Sequence, residues 1–292
     1  MRLYYYIDTG HRVGLERLRR SAPVIRELEE LGADVTMLTN DFRAGEYAKE
    51  QFGIRRYVSV DLVRNIANIA TPADAVVLDA DGVGRSLLED MAAYYRRFVR
   101  VSDDPHDVPA AGELLVSSTH EGEGIFRADI VDPRYFDEVP HILGDVYFWG
   151  DDDYDRRLLG LAEAFEGLDV TLLEGYYFFF QYGSELRSKF AAVEENERYD
   201  ELLRGATRFI TSSPQSALEA LAAGSNPLYI HKESTPRFWK EKLSAYSIAI
   251  LDCFKRSAIA SAPDEATRCG RKLLKPDMAA TVAEVMAERI SL

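Results

Sequence analysis

Short runs of β-branched and aromatic residues alternate with segments of helical period along almost the whole chain, and this alternation limits the folds open to it. Leu3–Ile7 reads as a strand, and Leu15, Leu18, Ile25 and Leu28 then mark one face of a helix. Pro23 falls inside that pattern, where its missing N–H predicts a kink or a shifted turn, and Gly32 is placed to cap the end. Val35–Thr39 is a second strand, Arg43–Gln51 a helix and Tyr57–Val60 a third strand. Ala75–Leu78 is a short buried strand ending at Asp79, followed by a helix over Ser86–Tyr95 and strands at Phe98–Val101 and Leu114–Ser117. Repeated strand–helix units of this kind predict a parallel sheet with helices on both faces.

Thr119–Pro140, rich in Gly, Asp, Glu and Pro, interrupts the rhythm. It then restarts with strand Val146–Trp149, helix Tyr154–Phe165 and strand Val170–Leu173. A short helix at Tyr199–Arg204, strand Arg208–Thr211, helix Gln215–Ala223, strands Leu228–Ile230 and Ile248–Leu251, and a closing helix Met278–Ile290 complete the pattern. With 292 residues and roughly 150 per domain, the expectation is two doubly wound, Rossmann-like α/β domains. They span 1–142 and 143–292, with the closing helix able to pack back on the first.

Hydrophobic residues make up 47% and charged residues 29%, the balance of a packed globular chain. Asp and Glu outnumber Lys and Arg by 49 to 35, a formal charge of −14, which argues against a broad nucleic-acid surface but leaves room for a small basic pocket. No apolar stretch nears the ~20 residues needed to span a bilayer. The opening Met1–Ile7 run is too short for a signal peptide and enters a strand at once. Cys253 and Cys269 form neither a metal-ligand spacing nor a disulfide framework. A cytoplasmic setting follows as an expectation, and self-association is left open.

In open parallel sheets ligands gather beyond the carboxyl ends of the strands. Two segments there carry candidate chemistry. Asp8-Thr9-Gly10-His11-Arg12-Val13-Gly14 follows the first strand: the glycines permit a tight turn, His11 is a candidate acid or base, and Arg12 and Arg17 are candidate phosphate ligands. The G-x-G-x-x-G dinucleotide fingerprint is absent, and a plain loop with an exposed histidine explains the segment equally well. The second runs from Phe209 to Pro227. Ser212 and Ser213 end a strand, Pro214 suits a first helical position, and the free N–H groups of that first turn suit a phosphate. Glu219 lies more than a turn into the helix, where a carboxylate can accept from a ribose diol; the competing reading is an N-cap at Ser213 and a solvated glutamate.

The Ser212-Ser213, Glu219-Ala220-Leu221-Ala222-Ala223-Gly224 and Pro227 pattern resembles the C-terminal domain of the GT-B superfamily of nucleotide-sugar enzymes. Within it the chain is most similar to the UDP-2,4-diacetamido-2,4,6-trideoxy-β-L-altropyranose hydrolases of pseudaminic acid synthesis. Those enzymes also carry a Glu-Ser-Thr and a tryptophan-bearing helix after the next strand, matched here by Glu233-Ser234-Thr235 and Trp239. Their opening Gly-x-Gly-His-x-x-Arg is matched by Gly10-His11, with Asp8 in place of the first glycine and Gly14 at the arginine position. Asp79-Ala80-Asp81-Gly82, Ser102-Asp103-Asp104 and Trp149-Gly150-Asp151-Asp152 follow in the family's order, the last replacing a Gly-Gly-x-Asp.

The resemblance implies two domains facing across a cleft and cleavage of the C1–O bond of a UDP-linked diacetamido sugar. His11 activates water; Gly10, Arg12, Arg17, Asp81, Asp103, Asp104, Ser212, Ser213, Glu219, Glu233 and Ser234 contact the substrate; no metal or cofactor is required. The alternatives are a GT-B glycosyltransferase, which needs an acceptor, and a non-catalytic relative with a decayed site. Other residues carry milder expectations. Asp151–Asp155 is read first as a helix-starting loop and second as a Mg²⁺ site. His106 lies in a cleft or a turn, His120 and His141 are structural, and His231 is placed to line a cleft. Within the aromatic run Tyr176–Tyr182, Tyr176–Phe180 is read as core, insertion or oligomer contact rather than a base-stacking platform.

Overall fold

The computed structural model describes residues 2–10, 12–176, 182–262 and 270–290. The chain divides into two compact units: Met1–Gly10, Arg17–Asp132 and Pro276–Leu292 make the first, and His11–Glu16 with Pro133–Lys275 the second. The break at Asp132 and Pro133 lies upstream of the expected 142/143 boundary, and the closing helix belongs to the first unit.

The first unit is built on a seven-stranded sheet of β1 (Arg2–Ile7), β2 (Asp34–Thr39), β3 (Tyr57–Ser59), β4 (Ala75–Asp79), β5 (Arg97–Ser102), β6 (Glu113–Ser117) and β7 (Ile125–Arg127). Every neighbouring pair is parallel, in the order β3-β2-β1-β4-β5-β6-β7. Helices α1 (Glu16–Glu30), α2 (Phe42–Phe52) and α3 (Arg85–Tyr94) connect its strands. Central strands covered on both faces are buried over most of their length, and β4 is buried along all of it. Tyr4, Tyr6, Leu38, Val76, Leu78, Leu88, Met91 and Phe98 form the core on one side. Asp41 caps α2 by accepting from Arg43 N, and Gly53 closes it at φ +70°. The α1 helix continues across Pro23 rather than ending there. Strand β7 was not expected: three residues bounded by glycine carry too little alternation to stand out.

The second unit repeats the plan with β8 (Asp145–Phe148), β9 (Val170–Leu173), β10 (Ala192–Glu194), β11 (Arg208–Thr211), β12 (Asn226–Ile230) and β13 (Ala249–Leu251). Its order is β10-β9-β8-β11-β12-β13, again parallel throughout, the 3-2-1-4-5-6 order of a Rossmann fold. Helices α4 (Arg157–Leu161), α5 (Tyr182–Leu186), α6 (Tyr199–Gly205), α7 (Pro214–Ala223), α8 (Phe238–Ala245) and α9 (Arg256–Ser261) accompany the sheet, while α10 (Met278–Ile290) belongs to the first unit. Tyr147, Leu158, Phe165, Leu172, Leu186, Ile210 and Ile230 share one core, with the Tyr147 and Phe165 rings 4.3 Å apart.

The helix expected over Tyr154–Phe165 starts at Arg157 and tightens into a 3₁₀ turn at Ala162–Phe165. Asp153 sets that start by accepting from Arg157 N at 2.8 Å and Leu158 N at 3.2 Å. Residues 177–181 of the aromatic run lie outside the described residues, as do His11 and Cys269. No helix among the described residues is long and apolar enough to cross a membrane.

Candidate functional site

Both sheets reverse strand order beside their first strand: between β1 and β4 in one unit, between β8 and β11 in the other. The carboxyl ends of the strands at such a switch point leave a crevice where α/β folds bind ligands. The segments singled out from sequence fall at these two places.

In the first unit the turn after β1 is clamped by the residues after β2. Thr9 N donates to Asn40 Oδ1 at 2.8 Å, Asn40 Nδ2 donates to Asp8 Oδ1 at 2.9 Å, and the Thr9 and Thr39 hydroxyls lie 2.9 Å apart. Gly10 ends this clamped stretch at φ +156°. From α1, Arg17 pairs with Asp81 and donates to the Asp8 carbonyl at 3.4 Å. Arg20, one turn further, donates to both oxygens of Asp79 and to Asp103. Ser21 adds a bond to Asp79 at 2.8 Å, and Ser118 donates to Asp103. Four carboxylates (Asp8, Asp79, Asp81 and Asp103) thus face two guanidinium groups across the ends of β1, β4 and β5. Burial pushes the Asp8 carboxyl above its ordinary range, with the neighbouring Asp81 and Asp79 charges adding to the rise and Arg17 opposing it.

Gly10, Arg17, Asp81 and Asp103 are therefore brought to one edge of the first sheet. Asp104 stands at the next turn, exposed, taking His106 N at 2.8 Å. Of the residues predicted from sequence, His11 lies outside the described residues. Arg12 belongs to the second unit, its guanidinium 5.5 Å from the Tyr154 ring centre. Arg20 and Asp79 carry the ion-pair network yet were not singled out. The spacing of Arg17 and Arg20, three apart on one helix face, was the available signal.

In the second unit the three aspartates after β8 separate into three tasks. Asp151 Oδ1 accepts from Tyr176 N at 2.8 Å and Asn196 Nδ2 at 3.4 Å. Asp153 caps α4 and accepts from the Tyr182 hydroxyl; burial raises its carboxyl pKa despite those bonds. Asp152 pairs with Lys232, whose Nζ lies 2.7 and 3.0 Å from the two carboxylate oxygens and 5.1 Å from the Trp149 ring centre. The helix-starting reading of this run thus describes Asp153, and the other two tie loops together. A Cβ on Gly175 would meet the Gly150 carbonyl oxygen at 2.2 Å, so two glycines let the loops after β8 and β9 touch.

The tip of α7 carries the Ser213 N-cap of the competing reading but departs from it at Glu219. Ser212, Ser213 and Glu219 are fully buried. Ser213 accepts from Ser216 N at 3.2 Å as the N-cap, Pro214 follows at the first helical position, and Thr211 Oγ1 accepts Ser213 N. The Ser212 and Tyr147 hydroxyls lie 3.2 Å apart. Glu219 is not the solvated glutamate of the milder reading. It accepts from Tyr199 OH at 2.7 Å and from Gln215 Nε2 at 3.1 Å, because every residue of α7 is buried. A ligand reaching these oxygens takes them from partners they already hold.

Beyond β12, Glu233 and Ser234 are exposed in a turn closed by Thr235 N donating to the Lys232 carbonyl at 3.0 Å. His231 is half-buried at the same strand end. Burial and the cations of Lys240 and Arg237 hold its imidazole pKa below the ordinary value. No group of His, Cys, Asp and Glu among the described residues is arranged to hold a metal ion.

Two parallel, Rossmann-like α/β units in tandem define the GT-B type of fold. Solved structures share it over the full length. The calicheamicin glycosyltransferase CalG4 matches with a TM-score of 0.61 at 16% identity, covering all of both chains. The UDP-GlcNAc 2-epimerase from Neisseria meningitidis, solved with UDP-GlcNAc, matches at 0.58 and 10% identity, again over all of both chains. The spinosyn forosaminyltransferase SpnP matches at 0.55 and 15% identity, over all of this chain and 95% of its own. No protein-family model matches the chain, and no curated protein matches it by sequence.

Proposed function

We propose that this chain binds a UDP-linked sugar and hydrolyses its C1–O bond, with His11 as the general base. The observation that supports the reading is that Thr9-Gly10, which His11 follows in the sequence, comes after β1 and the Ser212–Pro227 segment after β11, each strand lying beside its sheet's switch point. The fold is shared with glycosyltransferases and UDP-GlcNAc 2-epimerases, which supports a nucleotide-sugar ligand.

In this reading a water oxygen bonds to C1 as the C1–O bond breaks. The electron pair leaves with UDP, and the water proton passes to the neutral His11 imidazole. Cations and helix N–H groups lower the barrier by holding the diphosphate's growing charge. In the same reading Asp103 and Asp104 are ligands of the sugar, and Glu233 and Ser234 are further substrate ligands. The reaction is placed in the cytoplasm, where UDP-sugars are made.

A second reading, a relative that binds without turnover, is favoured by the altered motifs: Asp8 stands where the hydrolases carry their first glycine, and Gly14 where they carry the arginine. A screen of UDP-, CMP- and GDP-sugars for released nucleotide, with and without Mg²⁺, separates the readings. Release of UDP into water, lost in His11→Ala, supports hydrolysis. Release only with an added acceptor makes the chain a glycosyltransferase, and tight UDP binding without release makes it a binding protein.

A further inference from the structure

The ammonium of Lys232 bridges the switch point of the second sheet. Lys232 follows β12, yet it reaches the residues after β8, on the far side of β11: Trp149 O at 3.4 Å and the Asp152 carboxylate at 2.7 and 3.0 Å. It therefore passes over the end of β11, where Ser212 and Ser213 lead into α7. The burial of the pair is unequal. The Lys232 side chain is 5% exposed and that of Asp152 is 29% exposed, so the carboxylate stands on the water side of the cation.

A buried ammonium needs an anion, but not a particular one. Asp151 holds the N–H of Tyr176 and Asp153 those at the start of α4, whereas Asp152 is the member of the run that holds Lys232. The Asp152 charge also opposes ionisation of its buried neighbour Asp153. The space for the pair is kept by Gly150, at φ +126°, where an added Cβ would lie 2.7 Å from Asp152 Oδ1 and 3.4 Å from Lys232 Nζ.

We infer that Asp152 is an internal stand-in for a ligand phosphate: it holds Lys232 in the free protein and yields it to the diphosphate of a nucleotide. Naming a nucleoside diphosphate rests on the proposed function; the exchange of one anion for another rests on the pair itself. The loop after β8 is thereby an autoinhibitory contact that sets affinity, and Lys232 is a phosphate-binding residue.

Calorimetric titration of the full chain with UDP, pyrophosphate and uridine tests this. Asp152→Asn is expected to tighten UDP and pyrophosphate by about tenfold while leaving uridine unchanged. Lys232→Met is expected to weaken both anions and to abolish the gain in the double variant, in which no buried charge is left unpaired. Unchanged or weaker anion binding in Asp152→Asn overturns the inference. So does an equal gain in the Lys232→Met background, or no binding of any probe by either protein. The proposed function fails separately: a pyrophosphate gain with no preference for UDP and no turnover of any UDP-sugar removes it and leaves the exchange standing. Turnover of a UDP-sugar with Asp152→Asn affinity unchanged does the reverse.

Discussion

Arg20 grips both carboxylate oxygens of Asp79, a residue with no exposed surface, and extends its other arm to Asp103. The three residues come from α1, the end of β4 and the turn after β5, so this one guanidinium ties together the edge of the first sheet at which Gly10 and Asp81 also lie. Ser21 supplies a further bond to Asp79.

Removing Arg20 alone leaves the buried Asp79 charge without its main partner. Arg20→Met is expected to cost about 3–5 kcal/mol of stability, and adding Asp79→Asn should recover part of that loss. Urea unfolding of the single and double variants checks it, and additive losses would show that the pair is not coupled.

Ser213 is the N-cap of α7, and its hydroxyl takes Ser216 N. Ser213→Ala should lower stability by about 1 kcal/mol, with Ser213→Gly closer to the parent protein. Thermal unfolding midpoints, compared at one ionic strength, decide the order of the three.

Asp8 gives a pH signature. Its folded-state pKa is raised, chiefly by burial, so the proton is held more tightly in the folded chain than in the unfolded one. The Asp8 contribution is therefore complete below the unfolded carboxyl value and is lost as pH rises through the folded one. Asp8→Asn should be more stable than the parent at neutral pH, and that advantage should vanish below the ordinary aspartate range. Denaturant midpoints from pH 3 to 7 are the measurement, and an advantage that grows toward acid would contradict it.

If His11 takes the water proton, kcat/KM for UDP release should fall on the acid side as the imidazole protonates. His11→Ala should lose about 10²–10⁴-fold and the acid limb with it. A rate that keeps its limb in His11→Ala assigns the proton transfer to another group.

Much of the fold was visible as periodicity. Apolar runs of four to six residues between helical segments placed most central strands, because burial on both faces selects the same residue types regardless of what packs on them. Strands β7 and β10 escaped because none of their three residues is fully buried and each run is set among polar residues, which leaves no apolar pattern to read. The Ser212–Gly224 segment announced a strand, an N-cap, a first-position proline and a glycine stop, all of which depend on neighbours within a turn. That Glu219 would face inward could not be read there. Its burial depends on Tyr199 of α6, 20 positions away, and on the sheet beneath.

The sequence by itself determined most of the central strands and the longer helices, since hydrogen bonds within a few residues and the spacing of apolar side chains decide both. Only the tertiary structure decided strand order, and with it the partners of the charges. Asp79 and Arg20 are 59 positions apart, and Asp152 and Lys232 are 80 apart. Each pair exists because elements distant in sequence meet at the carboxyl end of a sheet, where scarce water makes an unpartnered ion too costly to leave alone.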